Sequence, residues 1–315
     1  MSVQEFSEQV VAFASAPSLD VLPAVVDVLQ AVPPNPPEAI QVKFVGSSYE
    51  QAYAEAESFI TVADQFSAKH GVGGFASMER IIDFGSGWGR ITRTLLARTT
   101  PTKIFALDVD HEMTALLNTT LPGVNALTIS PHPPTVLGDA TANGLVAFSV
   151  FSHLSGPAHE AWAREISRLI TPGGVVAFTV LDEAFFGQVA DAQTAVKAGG
   201  ANDFSASLAA TFPDPELARR GYKAGEIQFA GTGGGEVRTG DYYGWAACPP
   251  KYIERVWGRT GLRIVEWVPS GVLFPQALVF LVADRGSRAG RSGVRRAAAA
   301  SRAIRSVIRR MRAER

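Results

Sequence analysis

Between residues 83 and 90 the chain reads Asp83-Phe84-Gly85-Ser86-Gly87-Trp88-Gly89-Arg90, an acid followed by glycine at alternate positions. The apolar run Ile81 to Phe84 predicts a strand leading into it, and the residues from about 88 to 98 predict a helix leaving it. Glycines at such a junction let the backbone turn sharply and approach a ligand closely. The spacing also excludes. A nicotinamide-type GxGxxG would need glycine where the chain has Arg90, and no GxxxxGK[ST] phosphate loop occurs. Asp108 closes the next apolar run, about twenty residues past the glycines, where a carboxylate can accept hydrogen bonds from both hydroxyls of a ribose.

Around this junction, short apolar runs alternate with helical stretches, as in a parallel sheet with crossover helices. Strands are predicted at Ile81 to Phe84, Lys103 to Leu107, Ala126 to Ile129, Leu145 to Val150, Val175 to Val180, Leu262 to Val268 and Ala277 to Val282. Helices are predicted near 88–98, 110–118, 157–170 and 251–257, with Pro172, Gly173 and Gly174 as a tight turn. Upstream, residues 1–75 read as a helical extension: two short helices, the proline cluster 33–37, then a longer helix. That helix has Ser47 and Glu50 spaced as a capping box, Tyr53, Phe59, Ile60, Ala63 and Phe66 on one face, and Gly71 as its stop. Residues 183–249, rich in Gly and Ala, interrupt the pattern of the 76–284 domain and read as an insertion of the lid kind.

A single cysteine, Cys248, rules out an internal disulfide and a zinc ribbon, and fits a reducing, cytoplasmic setting. The first residues show no basic region followed by an apolar stretch, and no apolar run approaches membrane-spanning length. The formal charge of −1 conceals an asymmetry. Residues 285–315 hold eleven arginines against Glu314 alone, which leaves 18 basic and 29 acidic residues in the rest. An acidic body does not attract nucleic acid. In the tail, Ala300, Ile304, Val307, Ile308 and Met311 form an apolar stripe among the arginines. The tail therefore reads either as a basic amphipathic helix for peripheral contact with an anionic membrane, or as a disordered or body-bound segment.

Four segments together carry a resemblance: Asp83 to Gly89, Ala106-Leu107-Asp108-Val109-Asp110, Ser149-Val150-Phe151-Ser152-His153-Leu154, and Trp162 through Gly174. Over residues 40 to 284 the chain resembles the class I S-adenosylmethionine-dependent methyltransferases. The resemblance implies an α/β, Rossmann-like, seven-stranded and mostly parallel sheet with its last strand antiparallel. It also implies S-adenosylmethionine as cofactor. Carried over, Gly85, Ser86, Gly87 and Gly89 would line the methionine moiety and Asp83 would orient its ammonium group. Asp108 would hold the ribose, Val109 would pack on adenine, and Ser149 would face the cofactor. Relatives usually have Phe-Asp before the fourth strand, where this chain has Ala142-Asn143. The form of the glycine loop with Ser-Val-Phe-Ser-His-Leu looks most like the branch associated with sugar and glycan methylation.

An alcohol acceptor has a proton to lose, so a base with a pKa near neutrality is expected, and His153 lies just past the fourth strand. Its alternative is a helix-start residue bonded to backbone. Asp182 and Glu183 are second candidates or exposed loop acids. Tyr242, Tyr243 and Trp245 either stack on an acceptor ring or anchor the insertion, and Arg90 and Arg93 read as solvated helix residues. His70, His111, His132 and His159 lack metal-ligand spacing, so no metal site is expected. Asn35-Pro36-Pro37-Glu38 differs from the Asn-Pro-Pro-aromatic motif of nucleic-acid amino-methylating enzymes both in place and in its last residue. The expected reaction is O-methylation of a sugar or glycan hydroxyl. The alternatives are O- or N-methylation of a small natural product, or a cofactor-binding scaffold without transfer chemistry. The acceptor and the oligomeric state are not read from the sequence.

Overall fold

The structure, a computed structural model, describes residues 35–285 apart from 72, 201 and 236. The expected helices before residue 33, and the basic tail beyond Arg285, lie outside the described residues.

Seven strands form one sheet: β1 (Ile81–Phe84), β2 (Ile104–Asp108), β3 (Asn125–Thr128), β4 (Ala142–Ala147), β5 (Ile170–Val180), β8 (Leu262–Val268) and β9 (Ala277–Ala283). Their order is β3-β2-β1-β4-β5-β9-β8. The first five pair in parallel, while β9 pairs antiparallel with both β5 and β8. This is the Rossmann-like sheet with its antiparallel last strand. Every residue of β1 and of β9 is buried, as continuous apolar runs require when both faces of a sheet are covered.

Side chains alternate between the two faces. Ile81, Val175 and Phe280 pack with the helices α2 (Tyr49–His70), α3 (Arg90–Leu96) and α4 (His111–Thr120), through Phe59, Ile60, Leu95 and Leu117. Ile82, Val176 and Leu281 pack on the other face with α5 (Gly156–Leu169) and α9 (Pro250–Gly258), through Trp162, Ile166 and Trp257. The expected apolar face of α2 is therefore the one that lies on the sheet. Its start differs from the expectation. Ser48, not Ser47, precedes the helix, and its hydroxyl donates to Glu38 of α1 (Glu38–Val45) at 2.8 Å instead of closing a capping box with Glu50.

Two further boundaries move. β4 ends at Ala147, short of the predicted Val150, because the backbone leaves the extended region at Ser149, whose φ is +58°. The predicted turn at Pro172 to Gly174 lies inside β5. There the register with β4 slips from Ala142 opposite Ile170 to Gly144 opposite Val175, and the turn residues form a bulge. At Asn143, Oδ1 accepts from the backbone N–H groups of Glu79 and Arg80 at 3.0 and 3.2 Å. An amide thus fills a bridging role that needs an acceptor but no charge.

The insertion has its own small core. Helices α6 (Ala184–Lys197), α7 (Asp203–Ala209) and α8 (Pro215–Ala224) enclose Phe185, Phe186, Val189, Leu208, Phe212 and Tyr222. They are followed by a two-stranded ribbon of β6 (Gln228–Ala230) and β7 (Trp245–Ala247). The ribbon's long connection, residues 231–244, returns over the carboxyl ends of the sheet strands, where its Gly244 N–H donates to the carbonyl of His153 at 2.9 Å.

Candidate active site

The loop after β1 is tied to the end of β2: the N–H groups of Gly85 and Ser86 both donate to the Leu107 carbonyl, at 2.8 and 3.0 Å. Gly85 has φ +76°, and a Cβ there would stand 2.3 Å from Val150 Cγ2; at Gly89, φ +91°, it would stand 2.3 Å from Leu117 Cδ2. Glycine is required at both positions, for backbone conformation and for close packing. Gly87 differs, since a Cβ there meets nothing within 4 Å and its backbone borders open space.

That space is a cavity of about 990 Å³ at the carboxyl end of the sheet. It brings together Gly85, Ser86, Gly87, Asp108, Val109, Ser149 and His153, all singled out from sequence. Asp83 and Gly89 do not line it. Gly89 packs against α4, and Asp83 is buried beneath the loop, with Oδ2 accepting from the Thr92 hydroxyl at 2.6 Å and Oδ1 without a partner.

Burial pushes the Asp83 carboxyl up to about 7, offset in part by Thr92 and raised further by Asp108. A folded-state pKa above the unfolded one means that native stability declines as pH rises from about 4 to 7 and levels off above. Asp83→Asn is therefore expected to raise the melting temperature at pH 8 by several degrees. The gain should shrink toward pH 4; thermal melts across that range test it, and an equal effect at every pH would contradict it.

Asp108 is fixed by its own neighbourhood. Oδ2 accepts from the Gly87 N–H at 2.7 Å and Oδ1 from the Asp110 N–H at 2.8 Å, while Asp110 caps α4 through the N–H groups of Glu112 and Met113. Burial raises the Asp108 pKa, and these two backbone donors and Arg238 oppose the rise. Arg238 comes from the insertion, 3.6 Å from Asp108 Oδ1 and 3.5 Å from Asp110 Oδ2. Sequence reasoning did not single it out. Its signal was a lone long cation in the glycine-rich stretch from Gly231 to Gly240.

His153 is held from the other side. Nδ1 lies 2.7 Å from the Gly244 carbonyl. A carbonyl only accepts, so Nδ1 carries the proton and Nε2 of the neutral ring keeps its lone pair. The ring stacks on Tyr243, with centroids 5.0 Å apart and planes 13° apart, and meets Trp245 at 5.2 Å. Burial holds its pKa below the ordinary imidazole value; the Gly244 carbonyl works against the shift and the Arg238 charge adds to it. Nε2 is 3.4 Å from the Ser149 hydroxyl, which accepts from Gln276 Nε2 at 2.8 Å. The Gln276 carbonyl oxygen is buried without a partner.

Asp182, Glu183, His159 and Arg93 are not in the cavity lining, whereas Arg90 and the aromatic group Tyr242, Tyr243 and Trp245 are. Asp182 accepts from the N–H and hydroxyl of Ser270, at 3.0 and 2.7 Å, and Glu183 pairs with Lys223 at 3.1 Å. His159 is buried beside Cys248, accepts from the Trp257 indole at 2.9 Å, and is pushed down to about 3 by burial. Arg90 and Arg93 are corrected: both are buried. Arg90 pairs with Glu55 at 3.0 Å and lies 4.5 Å over the Phe148 ring, because α2 crosses it and excludes water. Tyr243 and Trp245 line the cavity along with Phe185, Phe204 and Leu208. Among the described residues, no group of three or more His, Cys, Asp or Glu is placed to hold a metal ion, and no helix is long and apolar enough to cross a membrane.

Residues 81–174 match the family model described as "Methyltransferase domain". No curated protein matches the chain. Among solved structures, it is similar to an S-adenosylmethionine-dependent methyltransferase from Clostridium acetobutylicum, at 14% identity over 73% of this chain and 92% of that one, with a TM-score of 0.48. It is also similar to the 1,6-didemethyltoxoflavin-N1-methyltransferase of Burkholderia thailandensis, at 11% identity over 86% and 94%, TM-score 0.46. A third is an amino pentose methyltransferase from Micromonospora echinaspora, at 15% identity over 77% and 94%, TM-score 0.46. The match to the methyltransferase domain thus falls on the β1–β5 half of a Rossmann-like sheet, and it includes the glycine loop.

Proposed function

We propose that the protein is an S-adenosylmethionine-dependent methyltransferase that methylates a hydroxyl oxygen of a sugar or glycan, with His153 as general base. One observation carries the reading: the unprotonated Nε2 of His153, with the Ser149 hydroxyl 3.4 Å away, belongs to a ring that lines the same cavity as Asp108 and the glycine loop. The cavity also fits the cofactor. Gly87 leaves backbone beside open space, Ser86 Oγ is buried without a partner, and each Asp108 oxygen, with one backbone donor, retains a lone pair. In this reading Asp108 holds the ribose, Val109 packs on adenine, and Gly85, Ser86 and Gly87 line the methionine end. Bound there, S-adenosylmethionine supplies an electrophilic methyl group on a sulfonium.

The protein's part is to orient the acceptor and remove its proton. The acceptor hydroxyl donates to His153 Nε2, which takes the proton as the oxygen gains its methyl group. The Gly244 carbonyl keeps the tautomer fixed and steadies the imidazolium that results. Tyr243 and Trp245, with the amides of Gln188 and Gln276 in the same lining, suit a ring that bears several hydroxyls. A second reading, O-methylation of an aromatic natural product, is favoured by the apolar side chains of Phe185, Phe204 and Leu208.

Transfer of labelled methyl to panels of glycosides and of phenols separates the two. Glycosides are expected to be labelled at least tenfold faster than phenols; the reverse order would replace the sugar reading by the aromatic one.

A further inference from the structure

Arg238 stands where two halves of the site meet. Its guanidinium faces Asp108 and Asp110, and lies 5.6 Å over the Phe44 ring of α1. Its backbone belongs to the connection that holds His153. The Gly234 N–H donates to the Arg238 carbonyl, the Gly233 N–H to that of Tyr243, and the Gly244 N–H to that of His153, at 2.8 to 2.9 Å. Gly244 returns its own carbonyl to His153 Nδ1, and the Tyr243 ring covers the imidazole. Seven residues of chain, Arg238 to Gly244, thus run from the carboxylates at the end of β2 to the base past β4.

We propose that Arg238 is a positioning residue that couples the insertion to the cofactor site: its charge keeps Asp108 an ionised hydrogen-bond acceptor, and its contact draws the 231–244 connection down onto His153. This rests on the reading of Asp108 as the ribose acid. The contacts of 3.5 to 3.6 Å are longer than a closed ion pair, so the arginine acts as a nearby charge that leaves carboxylate lone pairs available.

Several titratable groups act on this corner. Asp108 is faced by Asp83 from β1, by Asp110 in its own turn, by Tyr242 and Tyr243 from the insertion, and by Arg238. Arg238 is the cation among them, and it opposes the upward push of burial on the Asp108 pKa. Without it the carboxyl holds its proton to higher pH, and a protonated carboxyl accepts fewer hydrogen bonds. Loss of binding should therefore deepen as pH falls.

Calorimetric titration of S-adenosylhomocysteine into the full-length wild type, Arg238→Met, Arg238→Lys and Asp108→Asn, at pH 8 and pH 6, tests this. Arg238→Met is expected to bind about tenfold more weakly at pH 8, with a larger deficit at pH 6, as loss of an opposite charge at this range implies. Arg238→Lys keeps the charge and should stay within about threefold of the wild type. Hydrogen exchange of residues 231–244 supplies a readout that does not depend on affinity alone. At saturating ligand, protection should appear in the wild type and be lost in Arg238→Met. Affinity for Arg238→Met equal to the wild type at both pH values, or unchanged protection in that variant, overturns the proposal. Equal binding by wild type and Asp108→Asn overturns instead the assignment of Asp108 to the ribose.

Discussion

Replacing Asp108 by asparagine is expected to weaken S-adenosylhomocysteine binding by about two orders of magnitude while leaving the fold intact. The reason is local. Each carboxylate oxygen already accepts one backbone N–H, from Gly87 and from Asp110, and offers its remaining lone pair to the cavity. Hydrogen bonds to a charged acceptor are worth about 1.5–3 kcal/mol each, so two ribose hydroxyls account for about 3 kcal/mol or more. Asparagine presents one acceptor and one donor. Whichever way it turns, its NH₂ meets a backbone N–H, and the charge is gone. About 3 kcal/mol corresponds to roughly a hundredfold in affinity. Calorimetry on the wild type and variant, with thermal melts to exclude unfolding, decides it; a loss of less than about fivefold would remove Asp108 from the ribose.

This acid was legible because its position follows from the architecture alone. A strand that pairs directly with the one leading into the glycine loop must place its last residue at the same crevice, and spacing of about twenty residues delivers that. The glycines were legible for the same kind of reason. Gly85 and Gly89 are required by positive φ and by Val150 and Leu117 pressing on them, constraints that leave a mark in sequence. Arg90 was misread because its environment comes from elsewhere. Glu55, 35 residues earlier, supplies its counter-charge and Phe148 its stacking partner, and helical periodicity carries no trace of either.

The partners of His153 show the same limit more sharply. Gly244 and Tyr243 lie about ninety residues away, beyond an insertion whose helices fold around Phe185, Phe186 and Phe212. The aromatic group at 242–245 was visible, but both of its alternative roles turn out to be compatible. Tyr243 anchors the connection by stacking on the base and also lines the cavity. The sequence offered these as rivals because it could not show that anchor and cavity wall are the same surface.

His153→Gln is expected to lower kcat by about a hundredfold to a thousandfold, the range in which general-base catalysis contributes, with KM within about threefold. Glutamine is the informative replacement because its amide nitrogen can still donate to the Gly244 carbonyl, so the connection from 231 to 244 keeps one of its supports. What it cannot do is accept a proton. Burial and the Arg238 charge hold the imidazole below its ordinary pKa, so the wild-type base is neutral and ready at pH 7. Its rate should fall only as pH drops through that lowered value and the ring protonates. In His153→Gln that acid limb should vanish, leaving a slow rate that is flat from about pH 6 to 8. The pH profile, measured with the best acceptor from the labelled-methyl panels, separates two roles that kcat alone confuses. A residue that merely props the insertion would lower the rate at every pH and keep the limb, and that outcome would move His153 from base to strut.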